Sequence, residues 1–417
     1  MQPKIYTVDQ HAIPFHKIDP QAYYVLEKLK ACGHKAYLVG GGVRDLLLKV
    51  RPKDFDISTS AKPEEIRRIF RNCILIGKRF RLAHVRFGKK IIEVATFRSG
   101  DIENTELIKE DNIWGNEEQD VLRRDFTING LFYDPSNQTI IDYVDGYIDI
   151  DKKLLRTIGN PQIRFLQDPV RMLRLLKFKA RFGFQIEEET LQSLIDHKEE
   201  IIKSSHARIL EELMRMLESG SSKDFFMLLQ QYGFLEYLLP SLSSFLDQKT
   251  ESPLYQLLDH ADNIIKKNIE TYERSILFSL LLYPLLNETL NNSKDQVPHL
   301  GKVYEETKKI IHHFVPTSFH LSRKIKAEMI SILINQYRFT PLIPYAQKRK
   351  IRLPHDPCFI LAMKFFKIRC AIDPALNEIY TEWNTALHNY YKKQSHHQPS
   401  SPETISPDRN PSPPLPS

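Results

Sequence analysis

Several large protein classes are set aside by what this sequence lacks. It has four cysteines in 417 residues, Cys32, Cys73, Cys358 and Cys370, and none forms a CxxC pair. Neither a disulfide framework nor a structural zinc site is expected, and a reducing, cytoplasmic setting is the default. No apolar run approaches the ~20 residues of a transmembrane helix, so no membrane span is expected. The N-terminus, MQPKIYTVDQHAIPF, has no apolar stretch of the export-signal kind. There is no fixed-period repeat. The single His355–Asp356 pair has no further His and Asp ligands of the kind a dimetal hydrolase needs.

What is present starts with enough apolar residues, 41%, to bury a core, which excludes disorder of the whole chain. At ~100–200 residues per domain the length suggests two to four units. The formal net charge of +7 is mild, but it is unevenly distributed. Between Arg44 and Arg98 there are 15 Lys/Arg against 6 Asp/Glu, a net of +9, and the remainder of the chain sums to −2. Such an island suggests a polyanionic partner or a phosphate-rich substrate; a solvated surface is the plainer alternative.

Along the chain, Ala36–Val39 reads as a strand entering Gly40–Gly41–Gly42, and Val43–Leu48 as the start of a helix. Asp54–Ser58 alternates like a half-buried strand, and Thr59 to Arg71 reads as a helix with Pro63–Glu64–Glu65 in its first turn. Cys73–Ile76, Arg81–Phe87 and Lys90–Phe97 alternate like further strands. The expectation is an α+β chain: a sheet-and-helix head domain over 1–150, a helical neck over 151–240 and a helical body over 241–391. Residues 392–417, loaded with Pro and Ser, are expected to form a disordered tail.

Asp54 and Asp56 are spaced to share one face of a strand, with Phe55 and Ile57 facing the core. Two adjacent carboxylates repel unless a cation lies between them. A pair of Mg²⁺ ions ~3.5–4 Å apart suits such a site and can clamp an attacking and a leaving oxygen. Gly41 and Gly42 lie upstream between strand and helix, where backbone N–H groups can approach phosphate oxygens. Tight-turn geometry alone would also demand glycine there. This turn has neither the P-loop ending nor dinucleotide spacing. Arg44 can pair with a phosphate. Glu93, between Ile92 and Val94, is either at a sheet edge or a third carboxylate beside the aspartates. Arg124 and Asp125 can grip each other and contact a ribose or phosphate, or form a plain ion pair. Asp168 reads as an N-cap with Pro169 at the first helical position. Arg171 and Arg174 then share a face, with Arg181 two turns on; they can read base edges or form a solvated basic surface.

Taken in order, LVGGGVRD (38–45), DFDIST (54–59), EVATFR (93–98), RRDFTIN (123–129) and DPVRMLR (168–174) resemble the class II nucleotidyltransferase family. This family contains bacterial poly(A) polymerases and CCA-adding tRNA nucleotidyltransferases. IGKRFRLAHVRF (76–87) and DQHAI (9–13) look like the poly(A) polymerase branch. The resemblance implies a template-independent polynucleotide adenylyltransferase that adds AMP from ATP to RNA 3′ ends and releases pyrophosphate. CCA addition to tRNA is the alternative, and a non-catalytic RNA-binding protein is a third. It implies Mg²⁺ or Mn²⁺ at Asp54 and Asp56, catalytic roles for Asp54, Asp56, Asp125 and Glu93, and ATP and RNA 3′ ends as partners. Gly41, Gly42 and Arg44 would meet the triphosphate, Arg124 and Asp125 the ribose, and Asp168, Arg171 and Arg174 the base. Lys78, Arg79, Arg81, Arg86 and Arg181 are the candidates for RNA contact. Gln167 stands where the family often has Glu.

Overall fold

The structure is a computed structural model that describes residues 2–77, 82–100, 105–107, 113–247, 252–292, 299–314, 319–341 and 351–395. Its organising element is an eight-stranded sheet. The first strands are β1 (Lys4–Tyr6), β2 (Ala36–Val39), β3 (Asp56–Thr59), β4 (Cys73–Ile76), β5 (Leu82–Phe87) and β6 (Lys90–Thr96). A separate short pair, β7 (Arg98–Ser99) and β8 (Ile113–Trp114), precedes β9 (Leu131–Asp134) and β10 (Thr139–Asp142), which complete the sheet. The order is β1-β10-β9-β2-β3-β6-β5-β4. β3 and β6 run parallel, and the other neighbours are antiparallel.

The early helices are α1 (Val8–His11), α2 (Pro20–Ala31), α3 (Gly41–Leu47) and α4 (Pro63–Ile69). Asp19 caps α2 by accepting from the backbone N–H groups of Gln21 and Ala22, with Pro20 at the first helical position. Val25, Leu26 and Leu29 of α2 and Ile66 of α4 pack in the same core as Ile57, Ala83, Val85, Ile92 and Val94 of the sheet. The alternation read in the sequence for β5 and β6 therefore marks strands with one face against this core. On the other face Val39, Phe97 and Phe132 pack with Val121 of α5 (Glu117–Leu122) and with Ile158. That cluster seats α5 on the part of the sheet around β2 and β9.

After Asp142 the chain is helical, apart from the two-residue strands β11 (Leu154–Leu155) and β12 (Gln185–Ile186). The helices that reach the site are α6 (Gly146–Asp151), α7 (Pro161–Gln167), α8 (Val170–Phe182), α9 (Glu188–Asp196) and α10 (His206–Leu217). Further helices continue to Ser395, four residues into the expected tail, and 396–417 lie outside the described residues. One core runs from Ile13 to Ile368, with a satellite around Phe339, Phe366 and Trp383. Among the described residues, no helix is long and apolar enough to cross a membrane.

Two local expectations are corrected. Asp54 precedes β3 rather than lying on it, because pairing with β2 begins at Asp56, opposite Val39. Asp168 is the last residue of the α7 turn, with φ −151°, and Pro169 precedes α8. It is the Asp168 carbonyl, not its side chain, that accepts from the Arg171 N–H, at 3.0 Å.

Candidate active site

The exit of β2, the outer face of β3 and β6, residues Arg123, Arg124 and Asp125 after α5, and helices α7, α8 and α10 line a cavity of about 1010 Å³. Gly40, at φ +65° and ψ −132°, makes the sharp exit from β2, a conformation open to glycine. Gly41 lines the cavity. Gly42 is buried against the following segment, where an added Cβ would lie 3.1 Å from the Asp54 carbonyl oxygen. Of the two expected phosphate-binding glycines, Gly41 faces the cavity and Gly42 serves a close backbone approach.

Asp56 and Glu93 are direct register partners on the parallel strands β3 and β6. Glu93 points outward while Ile92 and Val94 are buried. β6 lies between β3 and β5, so the sheet-edge reading of Glu93 is excluded. Burial, with Glu93 and then Asp54 as like charges, pushes the Asp56 carboxyl up to about 6. Asp54 is exposed, and among the described residues no three acidic, His or Cys side chains are already gathered as a metal-binding set. The mutual repulsion registered at Asp56 and the all-oxygen donors nevertheless fit a hard divalent cation held by Asp56, Glu93 and Asp54.

The opposite wall is cationic and comes largely from outside the basic island. Asp120 on α5 is fully buried and accepts from Arg123 Nε at 2.9 Å and from Arg124 Nη2 at 2.8 Å. Burial alone would raise its carboxyl, but the two guanidiniums hold it below the usual carboxylate range. Arg124 also donates to Ser58 Oγ at 3.1 Å, tying α5 to β3 beside the acids. Arg164, 1% exposed, donates to the Arg123 and Arg124 carbonyls and to Gln167 Oε1. Arg171 donates to the carbonyls of Arg164 and Arg123, at 3.0 and 3.2 Å. These buried arginines thus cap the end of α5, where carbonyls lack helical partners.

Asp125 Oδ1 accepts from the Phe126 N–H at 2.8 Å and from Asn129 Nδ2 at 3.0 Å, while Oδ2 accepts from Arg174 Nη1 at 3.2 Å. Burial would raise this carboxyl; Arg174 and these donors hold it low. Its oxygens meet N–H donors, which suits orienting Arg174 better than metal ligation. Arg174 Nε donates in turn to Glu212 on α10, at 3.0 Å. Asp168 lines the cavity; its Oδ2 accepts from Arg208 at 2.8 Å, and its buried Oδ1 has no protein partner.

The remaining expected residues are placed differently. Arg44 is buried, donating to Asp45 Oδ1 and to Asn129 Oδ1 at 2.6 Å, with its guanidinium over the Phe178 and Phe182 rings. Although it lines the cavity, its fork is engaged by protein acceptors, so it braces the turn rather than offering a free phosphate clamp. Arg181 pairs with Asp45 Oδ2 at 3.2 Å, linking α8 to α3, and Arg171 and Arg174 form part of a packed wall, not a solvated face. Arg86 is exposed on β5. Lys78, Arg79 and Arg81 lie outside the described residues. Asp120, Arg164, Arg208 and Glu212 were not singled out in the sequence. Only Asp120 had a local signal, three and four residues before Arg123 and Arg124 on one helical face.

Carboxylates on adjoining strands thus face a wall of oriented arginines across one cavity, an arrangement with the charge complementarity to hold a cation and a polyphosphate together. Residues 36–156 match the family model described as the Poly A polymerase head domain, and 183–246 that of a probable RNA and SrmB-binding site of polymerase A. Over these residues the chain is similar to the nucleotidyltransferases that include bacterial poly(A) polymerases and CCA-adding enzymes. It is 40% identical to Poly(A) polymerase I of Salmonella typhi over 294 residues, 67% of this chain and 63% of that one. The chain thus spans a little under two thirds of that relative's length. It is 34% identical to a CCA-adding enzyme of Bacillus velezensis over 236 residues, 56% of this chain and 58% of that one. The crystal structure of the Bacillus stearothermophilus CCA-adding enzyme with CTP shares the fold, with TM-score 0.61 at 24% identity, covering 88% of this chain and 83% of that one.

Proposed function

We propose that this protein is a template-independent polynucleotide adenylyltransferase. The 3′-hydroxyl of an RNA attacks the α-phosphate of ATP, the new P–O bond forms, and pyrophosphate leaves with the electrons of the broken bond. The observation that carries this reading is the pairing of Asp56 with Glu93 in one cavity with the arginine wall. Greater similarity to a protein named Poly(A) polymerase I than to a CCA-adding enzyme favours ATP as the nucleotide.

Asp54, Asp56 and Glu93 would hold divalent metal, Mg²⁺ or Mn²⁺, which when bound lowers the charge cost of the transfer. The chain's own residues do the positioning. Arg124, fixed by Asp120 and Ser58, places positive charge beside the acids. Arg174, held between Asp125 and Glu212, and Asp168, with one unpartnered oxygen, present a donor and an acceptor to a base edge. Transfer of this kind depends on orientation and fixed charge and uses no nucleophilic side chain. We assign the domains as head to about 150, neck to about 240 and body beyond.

The second reading, CCA addition, is favoured by the shared fold. One assay separates them: short labelled RNA with each nucleoside triphosphate singly, then a CC-ended tRNA. A long ladder with ATP alone supports adenylyl transfer. Addition of C, C and A that then stops overturns it.

A further inference from the structure

We propose that the outer face of β4, β5 and β6 seats the last nucleotides of the RNA strand, upstream of its reacting hydroxyl. This rests on the adenylyltransferase reading and assigns the second substrate its own surface. The register makes the argument. Ile74 on β4 faces His84 on β5, His84 faces Glu93 on β6, and Glu93 faces Asp56 on β3. A single row therefore runs from the free edge of the sheet to the acids, over three strand spacings or roughly 14 Å. In flanking rows, Ile76 pairs with Leu82 and Ile91 with Arg86.

This face is unlike an ordinary solvated sheet face, which alternation makes polar. Ile74, Ile76 and Ile91 are 45%, 46% and 44% exposed, although the inward residues Val85, Ile92 and Val94 between them are fully buried. β4 is an edge strand, where exposed apolar side chains invite a partner. Three observations select a single-stranded nucleic acid as that partner. First, the surface is continuous with the active-site cavity, which Leu82 and Ala95 also line. Second, the opposite approach over β2 is covered where Val39, Phe97 and Phe132 pack under α5. The side over β5 and β4, where Ile74, Ile76 and Ile91 are exposed, is not covered in this way among the described residues. Third, apolar side chains interleave with the exposed cation Arg86, the pattern that suits flat bases joined by phosphates.

The test uses the full-length chain and an oligo(A) primer with the double variant Ile74→Ser/Ile91→Ser, both positions being exposed. The RNA KM should rise about 5- to 10-fold, in line with the loss of one base contact, while kcat and the ATP KM stay within about twofold. Ile74→Phe/Ile91→Phe should restore or tighten the RNA KM, which a purely structural role would not do. An unchanged RNA KM in the serine variant with an intact ATP ladder overturns this surface and leaves the adenylyltransferase reading standing. Should the wild type extend no RNA at all, anisotropy with a 3′-blocked oligo(A) decides the surface independently. Weaker binding by the serine variant supports it, and equal binding overturns it. If the serine variant instead turns a dimer into a monomer without changing RNA binding, the face belongs to a second copy of the chain and the proposal fails.

Discussion

Arg164 reaches from α7 to the end of α5 and donates Nη2 to the carbonyls of Arg123 and Arg124, at 2.7 and 2.5 Å. Burial pulls its pKa down to about 9, so it remains charged at neutral pH. Its contacts join the helical segment after the sheet to the helix that carries the cationic wall. Arg164→Ala should lower stability by about 2–3 kcal/mol, as expected for losing charge-assisted bonds to buried acceptors. Arg164→Lys should recover less than half of this, since an ammonium cannot fork between two carbonyls. Urea unfolding measures both, and an unchanged midpoint in the alanine variant would contradict the assignment.

Asp120 makes stability depend on acid. Its folded pKa lies below the unfolded value, because Arg124 and Arg123 outweigh the effect of burial. The stabilisation is therefore complete above the unfolded value near 4 and is lost as pH falls through the folded value. Asp120→Asn should cost about 3 kcal/mol at pH 7, since it leaves two arginines without their buried partner. The difference from wild type should shrink steadily below pH 4. Urea midpoints between pH 3 and 7 check this; a pH-independent difference would show that charge is not the cause.

Gly42 tests the packing beneath the acids. A Cβ there would sit 3.1 Å from the Asp54 carbonyl oxygen and 3.7 Å from Phe55 Cδ1. Gly42→Ala should destabilise by about 1–2 kcal/mol through overpacking, and should reduce kcat by displacing the segment that carries Asp54. Single-turnover extension alongside thermal unfolding distinguishes the two effects. Wild-type values of both would contradict the close approach.

These cases show what could be read in advance. β2 and β4 appear in the structure with the bounds read for them, and β3, β5 and β6 shift by one or two residues at their ends. Alternation in β5 and β6 was legible because one face of these strands is buried. Asp54 and Asp56 were legible because they are two residues apart, whereas only the pairing of β3 with β6 brings Glu93 beside Asp56. The arginine wall was legible in part, through Arg124, Arg171 and Arg174; Arg164 and Arg208 were not, because their bonds join residues about forty apart in the chain, as Arg164 joins Arg124 and Arg208 joins Asp168. Arg44 looked like a free cation because only the fold brings Asn129 to it. The charge island marked only part of the cavity's positive charge, through Arg44. Arg44 and Arg98 within it are buried and Lys90 pairs with Asp19, whereas the cavity takes Arg123, Arg124, Arg164, Arg171, Arg174 and Arg208 from beyond it.

Two arginines outside the wall should differ in their response to salt. Arg86 is exposed on the proposed RNA face, and Arg181 is paired with Asp45. Arg86→Ala should reduce the slope of log affinity against log salt by about 0.7, the value for one phosphate contact on a single strand. Arg181→Ala should leave the slope as it is. A salt series of RNA anisotropy titrations measures both, and equal slopes for Arg86→Ala and wild type would remove Arg86 from the RNA path.

The central claim is that adenylyl transfer occurs at the carboxylates Asp56 and Glu93. Asp56→Asn relieves like-charge repulsion, so the fold should be as stable as wild type or more so. The direct measurement is addition of a single 3′-deoxyadenylate from 3′-deoxyATP to a labelled RNA, with thermal unfolding run in parallel. The expected result is a fall in rate of ~10² or more in a variant that melts no earlier than wild type. A well-folded Asp56→Asn protein that transfers at the wild-type rate would contradict the account.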